Sequence, residues 1–169
     1  MRQIFSLSAL LLGSWLLTSF AADKDKYQSK AGKFAIQFPA GEKVVTDTKK
    51  AGGNIDMHFA VVEKNGQTYI AMYMDLPEAA KEVPSKTILD GAEKGSVSQG
   101  GGKVESSKDI EFGKEKLPGR EFVTDKDGTK VKTRVIIHKT RVYIIVVGGS
   151  NDFITREGTK FLDSFEITE

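Results

Sequence analysis

The chain has 169 residues, no cysteine and nearly balanced charge, with 25 Lys and Arg against 23 Asp and Glu. The lack of cysteine rules out a disulfide framework, thiol catalysis, iron–sulfur clusters and cysteine zinc sites. Opposite charges are interleaved without a basic block, which argues against nucleic acid as a partner and for a mixed, solvated surface.

Arg2 precedes a predominantly apolar run from Ile4 to Phe20, closed by Ser19-Phe20-Ala21 and followed by Ala22-Asp23. This is the organisation of a secretory signal peptide over residues 1–21, with the cut expected after Ala21. An uncleaved anchor is the alternative. The run of about 17 residues is at the short edge of what spans a bilayer, and the small-residue site behind it favours removal. No cysteine follows the run, so no lipid attachment is expected. The mature chain is therefore expected as a monomer without a membrane anchor, in the periplasm or the extracellular space. Without Asn-x-Ser/Thr sequons or cysteines, it suits a bacterial envelope better than a eukaryotic secretory route. The remaining length is that of one domain able to bury its own core.

Residues 22–31 are polar and aperiodic and read as a flexible leader; a single domain is expected over 32–169. Phe34, Ile36 and Phe38 alternate with Ala35 and Gln37 up to Pro39, a first strand of period two. Lys43 to Thr48 is a weaker strand, broken by Gly52-Gly53-Asn54. Ile55–Glu63 and Thr68–Asp75 then flank Asn65-Gly66, the favoured two-residue hairpin turn. That turn sets the register. Met57, Phe59 and Val61 face Met74, Met72 and Ile70 on one apolar side. Asp56, His58, Ala60 and Val62 face Asp75, Tyr73, Ala71 and Tyr69 on the other, which is also largely apolar.

Pro77 ends the hairpin, and Pro84-Ser85 opens a predicted helix to about Ser98, with Ser85 as N-cap and Ile88, Leu89, Ala92 and Ser96 facing inward. Gly91 and Gly95 make that helix weak in isolation, so packing must hold it. Lys103–Phe112 is a polar strand suited to a sheet edge. Arg120–Asp125 and Lys130–His138 form a second hairpin about Asp127-Gly128, pairing Asp125 with Lys130 and Glu121 with Arg134. Val142–Val147 is apolar throughout, which implies burial from both sides. Asn151 or Asp152 caps a last helix carrying Phe153, Ile154, Phe161 and Leu162, and Phe165 and Ile167 close the chain. The expected fold is α+β: a twisted antiparallel sheet with a helix on each face, an α/β/α sandwich.

The chemistry-bearing motifs are few. There is no phosphate loop, no Gly-x-Ser-x-Gly elbow and no His-Glu-x-x-His helix. Asp125-Lys126-Asp127-Gly128 is a hairpin turn, because Val123 stands where the first ligand of a calcium loop belongs. His58 and His138 are the only imidazoles, and neither has a serine partner in a recognisable motif. One cluster stands out. Asp56 lies across from Asp75, with His58 two residues along the same face, a set able to hold a divalent ion. A lysine or arginine from a neighbouring element, or a frayed end in water, relieves the same repulsion without an ion, and the residues favour that reading. Met57, Met72 and Met74 suggest copper, but beside Phe59 and Ile70 they read as core. Tyr69 and Tyr73 either line a ligand groove or are half-buried sheet residues. No catalytic residue and no cofactor is expected.

Gly32-Lys33-Phe34-Ala35-Ile36-Gln37-Phe38-Pro39 resembles the start of PsbP-like domains. Leu117-Pro118-Gly119-Arg120-Glu121, Arg141-Val142-Tyr143 and Phe161-Leu162-Asp163-Ser164-Phe165 resemble segments of small exported bacterial members. The resemblance runs from Lys30 to the end. It implies the PsbP/Mog-like architecture, an antiparallel sheet between helices, and a non-enzymatic role as an accessory or binding protein. The expected function is engagement of a protein partner or envelope component. A small-ligand or metal carrier using a groove near His58 and Tyr73 is the alternative.

Overall fold

A computed structural model describes residues 26–51 and 54–168. The expected signal peptide, the start of the leader and the Gly52-Gly53 break lie outside the described residues.

Seven strands form the main sheet: β3 (Val45–Ala51), β4 (Ile55–Lys64), β5 (Gln67–Asp75), β6 (Lys103–Phe112), β7 (Leu117–Lys126), β8 (Thr129–His138) and β9 (Arg141–Gly149). Their spatial order is β3-β4-β5-β9-β8-β7-β6, and every neighbouring pair is antiparallel. Both predicted hairpins form in the predicted register, with Val61 opposite Ile70, His58 opposite Tyr73 and Glu121 opposite Arg134. The turns explain this. Asn65 and Gly66 have φ of 53° and 73°, and Asp127 and Gly128 have 53° and 84°, the left-handed values a two-residue hairpin turn needs. β6 is the polar edge strand expected, and its outer residues are almost all exposed.

A second, three-stranded sheet was not foreseen. It joins β1 (Tyr27–Ser29), β2 (Phe34–Ile36) and β10 (Glu166–Ile167) in the order β1-β2-β10. The first predicted strand thus ends at Ile36 rather than Phe38, and it lies outside the main sheet. Tyr27–Ser29, read as flexible leader, is ordered by pairing with β2 and by Tyr27 packing on Phe34 and Phe38, with ring centroids 6.1 and 5.7 Å apart. A triplet carries no period of its own, so only that pairing reveals it.

The helices also differ in detail. α1 (Ser85–Gly100) has Pro84 as its cap residue and no side-chain cap, so Ser85 is its first residue, not its N-cap. The last helix is two: α2 (Asn151–Thr155) and α3 (Glu157–Asp163), interrupted at Arg156. Ser150, rather than Asn151 or Asp152, is the α2 cap, its side chain accepting from the Phe153 N–H.

One face of the main sheet carries the larger core. Phe153, Ile154, Phe161, Leu162 and Phe165, with Phe34, Ile36 and Phe38, cover Ala60, Val62, Tyr69, Ala71, Tyr73, Ile136, Tyr143, Ile145 and Val147. The opposite face is covered by α1 in one half only. Leu89 packs there on Phe122, Val135, Ile137 and Val142. The expected cover of both faces, with a helix on each, is therefore incomplete on this one: Met57, Phe59, Val61, Ile70 and Met72 stay half-buried beyond the edge of α1. The central strand β9 follows suit, with Ile144 and Val146 half-buried while Val142, Tyr143, Ile145 and Val147 are buried.

Candidate functional site

Three arrangements carry most of the polar organisation near candidate sites. The first is the corner where β3, β4, β5 and β9 meet. Arg141 grips Asp75 with two hydrogen bonds of 2.7 Å, donates to the Ala31 carbonyl at 2.9 Å, and lays its guanidinium 4.9 Å from the Tyr73 ring centre. His58 stacks on Tyr73 at 4.6 Å and 16°, and its Nδ1 lies 3.0 Å from the Thr48 hydroxyl. Asp56 pairs with Lys50 at 2.7 Å.

The two carboxylates of the candidate metal set are each paired with a cation. Asp56 and Asp75 each turn to a cation on their other neighbouring strand, Lys50 on β3 and Arg141 on β9. Hydrogen bonding to Lys50 holds the Asp56 carboxyl below the usual carboxylate range, and the Arg141 hydrogen bonds do the same for Asp75. The repulsion that motivated a metal is removed by the cations. Among the described residues, no group of three His, Cys, Asp or Glu is placed to hold an ion. Asp56, His58 and Asp75 are a charge-paired corner.

Beside that corner lies a cavity of about 290 Å³ lined by Tyr27, Phe34, Thr48, His58 and Tyr73. The tyrosine pair of the sequence reading is split. Tyr73 reaches this cavity, but Tyr69 is buried edge-on between Phe153 and Phe161, at 5.6 and 5.2 Å. Tyr69 is core.

The second arrangement sits on the Leu117–Glu121 segment. Successive strand residues point to opposite faces, so Arg120 and Glu121 stand back to back. Arg120, with 8 % of its side chain exposed, donates to Asp109 at 2.8 Å, to Asp90 at 2.6 Å and to Glu93 at 3.4 Å. It thereby fastens α1 over β7. On the reverse side Glu121 accepts from Arg134 at 2.8 and 3.1 Å, and Arg134 reaches on to the Leu162 carbonyl and Asp163 of α3. Burial pushes the Glu121 carboxyl up, but Arg134, with Lys132 and Lys108, outweighs it and holds the group below the usual range. Gly119 precedes them because a Cβ there would sit 2.7 Å from the Val135 carbonyl oxygen. Sequence pairing found Glu121–Arg134. It missed Arg120, whose partners lie on α1 and β6, far away in the chain.

The third arrangement is the uncovered half-face. Arg120 and Leu89 hold α1 over β7 and β8, away from β4 and β5. Between the C-terminal half of α1 and the sheet runs a groove of about 640 Å³, floored by Ile70, Met72, Val131 and Val146 and walled by Ser96 and Gln99. Met57 lies beyond it, Met74 packs against the Leu89 cluster on its other side, and all three methionines, Met72 included, are half-buried. Reading these methionines as closed core is thus corrected for Met57 and Met72, whereas Met74 packs against the core cluster beneath α1. Lys49 of β3 lies 5.8 Å from the centre of the Phe59 ring at the margin.

No family model and no curated protein matches the sequence. Among solved structures, the solution structure of cyanobacterial PsbP (CyanoP) from Synechocystis sp. PCC 6803 superposes with a TM-score of 0.60 at 9 % identity, over 84 % of this chain and 91 % of that one. The chain has a PsbP-like fold. A crystal structure of a Pseudomonas aeruginosa protein of unknown function also matches, with a TM-score of 0.44 at 9 % identity over 82 % of this chain and 90 % of that one. No helix among the described residues is long and apolar enough to cross a membrane.

Proposed function

We propose that this chain is an exported, non-enzymatic accessory protein that binds a protein partner through the open half-face of its sheet, in an α/β/α arrangement whose α1 layer stops short. The carrying observation is the run of half-buried apolar side chains on β4 and β5, with Phe59, Ile70 and Met72 at its centre. Contiguous apolar surface at the margin of a charged exterior marks interaction sites, and methionine adapts its shape to a partner. The leader over residues 1–21 supports export. The tied-up carboxylates, Asp75 with Arg141 and Asp56 with Lys50, support a binding rather than a catalytic role.

The test is capture from envelope extract by residues 22–169, beside Phe59→Glu and Met72→Glu variants checked for native circular dichroism. One reproducible partner held by the natural sequence and lost by both variants is expected. Equal capture by all three, or no capture at all, overturns the reading.

A second reading, a small-ligand carrier, rests on the cavity of about 290 Å³ beside His58 and Tyr73.

A further inference from the structure

The open half-face and its border with α1 hold a concentration of one soft donor type: Met57 and Met72 lie on the open part, and Met74 packs against the Leu89 cluster at its edge. Met57 and Met74 are direct cross-strand partners, and Met72 is two residues from Met74 on the same side. Direct cross-strand Cβ atoms lie about 5 Å apart and diagonal ones roughly 7–8 Å apart. A methionine sulfur stands two bonds beyond Cβ on freely rotating torsions. Three thioethers at those spacings can converge on one ion without moving the backbone.

All three side chains keep partial exposure, Met74 while packing against the Leu89 cluster, and Phe59, Ile70 and Ile144 make the surroundings apolar. The imidazole and carboxylates that attract harder ions, His58, Asp56 and Asp75, project from the opposite face. On the methionine side, β3 contributes Lys49 opposite Met57 and Asp47 opposite Phe59. Asp47 accepts from the Thr48 N–H at 2.7 Å. Thioether donors select Cu(I) over zinc and the hard divalent ions.

We propose that Met57, Met72 and Met74 form a three-thioether site for a single soft monovalent ion, Cu(I), on the open face of the sheet. The site is independent of the partner reading. It is tested on the isolated protein, so the failure of one leaves the other standing.

Residues 22–169 are titrated anaerobically with Cu(I) under ascorbate against bicinchoninate, and separately with Ag(I) as a redox-inert probe. The expected result is one ion per chain with either probe. Met57→Leu, Met72→Leu and Met74→Leu each weaken Cu(I) binding tenfold or more, and the triple variant abolishes it. Leucine conserves volume, and circular dichroism verifies the fold of each variant. His58→Ala leaves the affinity unchanged. X-ray absorption of the copper complex shows a shell of sulfur only. The proposal is overturned if the natural sequence takes up no Cu(I), if the triple variant binds as well, or if nitrogen or oxygen dominates the shell.

Discussion

On β5, Ala71 and Tyr73 are buried beneath the C-terminal helices and the small sheet, whereas Ile70 and Met72, each one residue away, stay half-exposed. Both sets are apolar in the sequence, and both have apolar cross-strand partners. What separates them is what the rest of the chain can reach. The first face receives α2, α3, β2 and Phe165; the second receives only α1, fastened by Arg120 and Leu89 to the β7–β8 side. Alternation along a strand thus tells which residues share a side. Cover is decided by long-range anchoring.

The largest expected contrast comes from truncating a phenylalanine on each side. Phe161→Ala removes a side chain that is 3 % exposed and packs on Phe38 and Tyr69. It should cost about 3–5 kcal/mol in urea unfolding. Phe59→Ala, on the open half, should cost less, about 1–2 kcal/mol, because part of its area stays in water. Equal losses would mean that the two faces are covered alike.

A middle-sized effect should follow from the back-to-back pair. Arg120→Ala leaves Asp90, Asp109 and Glu93 without their shared cation. Because Asp90 and Asp109 keep 40 and 65 % exposure, solvent softens the loss to about 1–3 kcal/mol. The accompanying signature is faster hydrogen exchange confined to α1. Uniform loosening of all elements would contradict the assignment of Arg120 as the α1 fastening.

The smallest expected effect is one of pH. The Glu121 carboxyl titrates below its unfolded value of 4.5. Its contribution is therefore fully present above that value and is lost as pH falls through the folded value. Glu121→Gln should flatten the acid limb of a stability–pH curve; an unchanged limb would place the titration elsewhere.

Much of the fold was legible in the sequence because its signals are local. Asn65-Gly66 and Asp127-Gly128 fix two hairpins and their registers, and the polarity of Lys103–Phe112 marks an edge. The small sheet was not legible. It pairs Phe34–Ile36 with the nearby Tyr27–Ser29 on one side and, across almost the whole chain, with Glu166–Ile167 on the other, and neither outer strand is long enough to show a period. The corner at Asp56 and Asp75 was half legible: the repulsion could be read, and cationic relief was named, but Arg141 as the partner of Asp75 requires knowing that β9 lies beside β5. The open half-face could not be read at all, since Met57 and Met72 look as much like core as Met74, which packs beneath α1, until the reach of α1 is known.

Dilute hydrogen peroxide on the native protein, followed by peptide mass mapping, tests the openness of that half-face most directly. Exposed thioethers oxidise to sulfoxides far faster than buried ones. The expected result is oxidation of Met57 and Met72 at rates within a few-fold of the urea-unfolded chain, with native circular dichroism retained. Protection of both methionines, with oxidation only after unfolding, would show that the face is closed and would remove the basis for a docking surface there.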